Sequence, residues 1–138
     1  MGRSVRDVMT SNPQGVEPST PVVEAAKRMK QEDVGSLPIV EGDRLQGIVT
    51  DRDIVVRVVA DGKDPQSTTV SEAASQNVVT VDPQQDLDEA LRLMAKHQVR
   101  RLPVVKEDGR LVGIVAQADI AEHAEAARVG ETVEQISE

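Results

Sequence analysis

The stretch Gly47-Ile48-Val49-Thr50-Asp51-Arg52-Asp53-Ile54 decides how this chain is read. Its first residues suit a buried strand, because β-branched side chains pack well on a pleated surface. Thr50-x-x-Asp53 then suits a helix start, where a hydroxyl and a carboxylate three positions apart can satisfy each other's backbone amides. A hydroxyl, two carboxylates and a guanidinium are therefore crowded at one strand-to-helix junction. A second version follows as Gly113-Ile114-Val115-Ala116-Gln117-Ala118-Asp119-Ile120.

Outward from these two stretches the correspondence continues. Val16-Glu17-Pro18 matches Val81-Asp82-Pro83, Met29 matches Met94, Val34 matches Val99, and Leu37-Pro38-Ile39-Val40 matches Leu102-Pro103-Val104-Val105, all 65 positions apart. The offset becomes 66 across a turn, because Lys106-Glu107-Asp108-Gly109-Arg110 is one residue longer than Glu41-Gly42-Asp43-Arg44. So steady an offset marks an internal duplication. Each copy reads β-α-β-β-α, an α/β (α+β-like) pattern. A copy this small buries little on its own, so the two are expected to pack through their sheets in pseudo-two-fold symmetry. The expected division is residues 1–66, residues 67–128 and a tail of residues 129–138.

Local signals fill in the first copy. Residues 5–9 read as a helical turn closed by the turn formers Thr10-Ser11-Asn12-Pro13. Residues 15–18 read as a short strand. Thr20 is placed as N-cap and Pro21 as the first helical residue, with Val22, Ala25, Ala26 and Met29 on the apolar face and Gly35 as the stop. Residues 37–40 form a strand whose Pro38 suits an edge, and residues 41–44 turn it into the strand 45–50. A Val-rich helix is expected from Asp51 to Gly62, then a polar linker over 63–69. At the far end, residues 121–128 extend the last helix, Gly130 breaks it, and residues 131–136 form an amphipathic turn or are disordered.

Composition limits the function classes. The 138 residues contain no Phe, Tyr, Trp or Cys, so the core must be aliphatic, with four Met as fillers. A surface without aromatics lacks base-stacking platforms, and a net charge of −8 repels phosphate backbones and anionic lipid. Nucleic acid and membrane are therefore not expected partners. The absence of any span-length apolar run or leader pattern points to a cytoplasmic protein, and zero cysteine excludes disulfides and thiolate metal sites. His97 and His123 alone make a metal site unexpected, although Mg²⁺ could arrive with a nucleotide. Gly42-x-x-x-x-Gly47 is followed by Ile48-Val49 and a strand, so it is not a phosphate-binding P-loop. Neither a nucleophile elbow nor another set of activated groups is present, and no enzymatic activity is expected.

Both copies resemble cystathionine-β-synthase-type (CBS) domains, and the tandem resembles a CBS pair, or Bateman module. The resemblance rests on residues 34–40 with 45–54 and on residues 97–105 with 111–115, and it covers roughly residues 3–125. It implies a regulatory sensor without an attached catalytic, transport or DNA-binding domain. It also implies an adenosine-containing ligand (AMP, ADP, ATP or S-adenosylmethionine) held in the cleft between the motifs, with a conformational or assembly change as the signal. Thr50 and Asp53 would grip the ribose hydroxyls. Arg52, His97, Arg100 and Arg101 are candidates for phosphate. The surroundings of Val16, Ser36, Pro38 and Ile39, and of Val81, Pro103 and Val104, would contact adenine. Asp119 is the second-half counterpart of Asp53, but Ala116 stands where Thr50 stands in the first half. A homodimer and an unidentified protein partner are further implied.

Each feature also has a plainer reading. Thr50 and Asp53 form a capping box in any helix start, and a carboxylate there is favoured by the helix dipole. Asp119 alone has the same explanation. Arg100 and Arg101 are cations beside a helix C-terminus, and adjacent residues entering a strand point to opposite faces, which favours Arg101 over Arg100 for any one cleft. A ligand-free interaction scaffold with a decayed nucleotide site is the alternative function.

Overall fold

A computed structural model describes residues 3–75 and 78–124. The chain forms a 3-10 turn at Val5–Asp7, then β1 (Thr10–Ser11), α1 (Val22–Glu32), β2 (Ser36–Glu41), β3 (Arg44–Thr50) and α2 (Asp51–Ile54). A π-helix at Val55–Val59 continues α2. Then come α3 (Val70–Ala73), α4 (Leu87–His97), β4 (Arg101–Val105), β5 (Leu111–Ala116) and a helix α5 over residues 117–124. This is the mixed helix and strand class expected.

The duplication is visible in backbone pairings. Val16 makes an isolated parallel bridge to Ile39, and Val81 makes the same bridge to Val104. The Val16 amide donates to the Pro38 carbonyl at 2.9 Å, and the Val81 amide to the Pro103 carbonyl at 3.1 Å. Helices α1 and α4 end identically: Asp33 and Gln98 both adopt left-handed backbone with φ 55°, and the amides of Val34 and Val99 return to the carbonyls of Met29 and Met94.

The chain divides into two compact units, and their boundaries differ from those of the sequence repeats. Residues 3–13 group with 79–107 and 112–124, whereas residues 14–75 and 78 group with 108–111. The segment before each copy completes the other one. Thr10 pairs with Ile114 and Ser11 with Gly113 on β5, giving the sheet order β1-β5-β4. In the other unit, Ser75 bridges Ile48 of β3, which pairs antiparallel with β2. Accordingly Val5 belongs to the core of Val81, Ala90, Met94, Leu102, Val104, Val115 and Ile120. Val70 and Ala73 belong to that of Val22, Ala25, Met29, Leu37, Ile39, Val49, Ile54 and Val58.

This exchange explains several departures from the expected elements. Thr10-Ser11 is drawn into sheet pairing instead of a turn. Pro21, bridged to Thr69, is extended and stands at the N-cap, so α1 starts at Val22 and Thr20 caps nothing through its side chain. The amides of Val22 and Val23 are satisfied by the carbonyls of Thr68 and Pro65. The expected polar linker is thus a structural cap, and Thr68 is buried. Asp33, not Gly35, reverses the chain after α1. The strand expected over 15–18 is reduced to the Val16 bridge. The Val-rich helix forms, but as an α-turn followed by π-helix, with the Ala60 amide reaching back to the Val55 carbonyl at 2.8 Å. Of the expected final helix, residues 121–124 are helical; residues 125–138, including Gly130 and the 131–136 segment, lie outside the described residues.

Candidate functional site

The first junction is built by β3 running into α2. Thr50 ends the strand opposite Ser36 of β2 and becomes the N-cap of the helix. Its amide donates to Asp53 Oδ2 at 3.0 Å, and the Asp53 amide donates to Thr50 Oγ1 at 3.0 Å. This closed capping box holds both side chains half-buried at the start of the helix. Among the described residues, Asp53 Oδ1 and the Thr50 hydroxyl proton have no protein partner. One acceptor and one donor therefore remain after the cap is formed, a combination that a pair of vicinal hydroxyls can satisfy.

Two residues passed over in the sequence complete this corner. The Asp51 amide donates to the Gly35 carbonyl at 2.9 Å, tying the end of the α1–β2 loop to the helix start. A Cβ on Gly35 would lie 3.2 Å from Asp51 Oδ2, so glycine lets the carboxylate sit against the backbone. Asp51 Oδ1 accepts the Arg52 amide at 2.8 Å, and the Arg52 side chain is exposed. The spacing of Gly35 from the junction in sequence concealed this contact.

The other first-half candidates lie deeper. Val16, Pro38 and Ile39 are buried, and both backbone groups of Val16 are consumed, its amide by Pro38 and its carbonyl by Val40. Ser36 is half-buried. Val16, Ser36, Pro38, Ile39, Thr50, Arg52 and Asp53 are thus gathered in one unit.

Val81, His97, Arg100, Arg101, Pro103, Val104 and Asp119 are gathered in the other. Val81, Pro103 and Val104 are core residues. His97 is the exposed last residue of α4, and Arg100 and Arg101 are both exposed, so burial does not separate the two arginines. The Gln117 amide donates to the Arg100 carbonyl at 2.8 Å, the counterpart of the Asp51–Gly35 bond. Ala116 offers no side-chain cap, and Asp119 is half-buried without a hydrogen-bond or ion-pair partner among the described residues.

A separate surface recess of about 390 Å³ is lined by Glu17, Pro18, Ser19, Glu41 and Gly42, and shares no residue with the candidates. Among the described residues, no three His, Asp or Glu side chains gather to hold a metal ion, and no helix is long and apolar enough to cross a membrane.

Duplicated bridges, duplicated left-handed caps and paired strand-to-helix junctions define a tandem module. The CBS domain family model matches residues 5–60 and again residues 70–126, and the chain belongs to that family. The CBS domain-containing protein YhcV of Bacillus subtilis is 48% identical over 118 residues, covering 86% of this chain and 83% of that protein. Hypoxic response protein 1 of Mycobacterium tuberculosis is 44% identical over 121 residues, covering 87% and 84%. A crystal structure of Hypoxic Response Protein I with two coordinated zinc ions superposes with a TM-score of 0.80 at 43% identity, covering 88% of this chain and 98% of that one. CBSX2 in complex with AMP gives a TM-score of 0.81 at 28% identity, covering 92% and 99%. The CBS domain pair of protein MJ0100, in complex with 5′-methylthioadenosine and S-adenosyl-L-methionine, gives 0.79 at 29% identity, covering 92% and 99%.

Proposed function

We propose that this chain is a cytoplasmic regulatory sensor, not an enzyme, that binds an adenosine-containing ligand (AMP, ADP, ATP or S-adenosylmethionine) and signals through a change of conformation or assembly. The observation that carries the reading is the Thr50–Asp53 pair. After capping α2 it retains a carboxylate oxygen and a hydroxyl proton without a partner among the described residues, and these suit the 2′- and 3′-hydroxyls of a ribose. That CBSX2 holds AMP and the MJ0100 pair holds S-adenosyl-L-methionine supports the ligand class. Ligand binding would favour one state of the module, and a partner protein would read the shift. A homodimer is part of the proposal, supported by the exposed valines after α2.

Isothermal titration calorimetry with AMP, ADP, ATP and S-adenosylmethionine tests the assignment. Binding of at least one compound by the wild type, lost in folded Asp53→Ala, is expected. Unchanged affinity of that variant for every compound that the wild type binds removes the site from Thr50 and Asp53. Absence of both heat and thermal stabilisation with every compound at millimolar concentration favours the interaction scaffold, which the missing hydroxyl at Ala116 already suits.

A further inference from the structure

The two junctions are equivalent in backbone and opposite in charge. Asp33 and Gln98 share the same left-handed conformation, and the carbonyls of Gly35 and Arg100 accept equivalent amides, from Asp51 at 2.9 Å and Gln117 at 2.8 Å. The pairs Gln31/Lys96, Glu32/His97, Asp33/Gln98, Gly35/Arg100 and Ser36/Arg101 therefore occupy matching places. Around the first junction stand the carboxylates of Glu32, Asp33, Asp51 and Asp53 against the cation Arg52. Arg28 neutralises part of this, through its 3.0 Å pair with Glu32. Around the second stand the cations Arg100 and Arg101 against the carboxylate Asp119, while Lys96 shares its charge with Glu89 of its own helix. Apart from Arg28, Asp53 and Asp119, which are half-buried, these side chains are exposed, so each corner presents its charge to whatever binds there.

We propose that the two halves take differently charged adenosyl ligands. The second junction selects a nucleotide bearing phosphates, and the first selects an adenosyl compound whose 5′ substituent is neutral or cationic. The inference rests on the adenosyl reading above and adds a division of labour to it. The first corner keeps the full ribose-gripping pair but has only Arg52 to offer a phosphate, amid carboxylates that repel it. The second corner has lost the hydroxyl at position 116, and whichever of Arg100 and Arg101 faces the site supplies charge-assisted hydrogen bonds that compensate only when the ligand carries phosphate. Gly35 sharpens the division: a side chain there would crowd Asp51, whereas its counterpart Arg100 projects a guanidinium.

The experiment titrates ATP, AMP, 5′-methylthioadenosine and S-adenosylmethionine separately, at low and high salt, into four proteins. These are the wild type, Asp53→Ala, the double variant Arg100→Gly/Arg101→Ser, which copies the first half, and Gly35→Arg, which copies the second. The double variant is expected to weaken ATP on the order of tenfold, and salt to weaken ATP far more than 5′-methylthioadenosine. Asp53→Ala is expected to abolish S-adenosylmethionine and 5′-methylthioadenosine binding while ATP binding persists, and Gly35→Arg to strengthen ATP. If the compounds bind but the arginine substitutions leave ATP affinity unchanged, or weaken every ligand equally, the division fails and the adenosyl reading stands. If none of the four compounds binds the wild type, both fall. Should the double variant fail to fold, the salt dependence of wild-type binding and the Gly35→Arg protein decide the matter.

Discussion

Gly113 holds its place on β5 against Met9 only because it carries no side chain. A Cβ there would fall 2.5 Å from Met9 Sδ and 3.0 Å from the Thr10 carbonyl. The thioether can swing aside, but the carbonyl belongs to β1, whose pairing with β5 docks the N-terminal segment onto the second-half sheet. Its repeat counterpart, Gly47, is buried but has room for a methyl group, with the Ser75 carbonyl 3.8 Å and Ile39 Cδ1 3.9 Å from its Cβ position, both ordinary van der Waals contacts.

Gly113→Ala is therefore expected to destabilise the protein by about 1–3 kcal/mol, the range for forcing atoms into a packed site. Gly47→Ala should be neutral or slightly stabilising, since glycine in a strand carries an entropic cost of roughly 0.5–1 kcal/mol relative to alanine. Urea unfolding of the two variants measures the contrast. Equal midpoints would show that β1 yields without cost.

Thr50 and Ala116 provide a matched pair of opposite sign. Thr50→Ala removes the side chain that accepts the Asp53 amide and should cost about 1 kcal/mol. Ala116→Thr places a hydroxyl three residues before Asp119, recreating the Thr-x-x-Asp pattern, and should stabilise the start of α5 by a similar amount, about 1 kcal/mol. Thermal unfolding of both variants should move the midpoint in opposite directions. A loss of stability in Ala116→Thr would mean that the second junction cannot adopt the cap geometry of the first.

Asp33 and Gln98 end their helices with φ 55°, a conformation in which a Cβ crowds the following carbonyl. Glycine there avoids the crowding but gives up more freedom on folding, so Asp33→Gly and Gln98→Gly should each stabilise by a modest amount, about 0.5–1 kcal/mol. Equilibrium denaturation reads this directly. Destabilisation of either variant would show that its side chain contributes more than its backbone strain costs.

The duplication was legible because it is recorded in residue identity at a constant offset, and the offset that aligns Val16 with Val81 also aligns their bridges to Ile39 and Val104. The Thr50–Asp53 cap was legible for a local reason: both partners lie within one helical turn. What escaped notice depends on distant backbone. Residues 63–69 look like a linker by polarity, yet their carbonyls satisfy the first amides of α1. Thr10-Ser11 looks like a turn by composition and is a strand because β5 offers it a partner. Asp33 carries no stop signal of its own in the sequence, and a glycine two positions later carries a strong one. At the junction, the charge-bearing groups were readable one by one, whereas the Gly35–Asp51 bond required the folded chain.

The valines after α2 form an exposed apolar surface. Val55, Val56 and Val59 are 58%, 48% and 61% exposed, while Val58 is fully buried. Arg57, the charged residue of this run, does not cover them. Its guanidinium turns back to the Ala74 carbonyl at 3.0 Å. A cluster of exposed apolar residues on one helical segment is the kind of surface that a second copy covers in a two-fold contact. Val55→Glu/Val59→Glu would place four like charges in such a contact, two from each chain. The double variant is expected to keep its helical circular dichroism, because neither side chain is buried in the core, and to weaken self-association at least on the order of a hundredfold. Sedimentation equilibrium should then give a dimer for the wild type and a monomer for the variant at micromolar concentration. A wild-type monomer would remove the dimer from the proposed function, and a variant that remains dimeric would place the contact on another face.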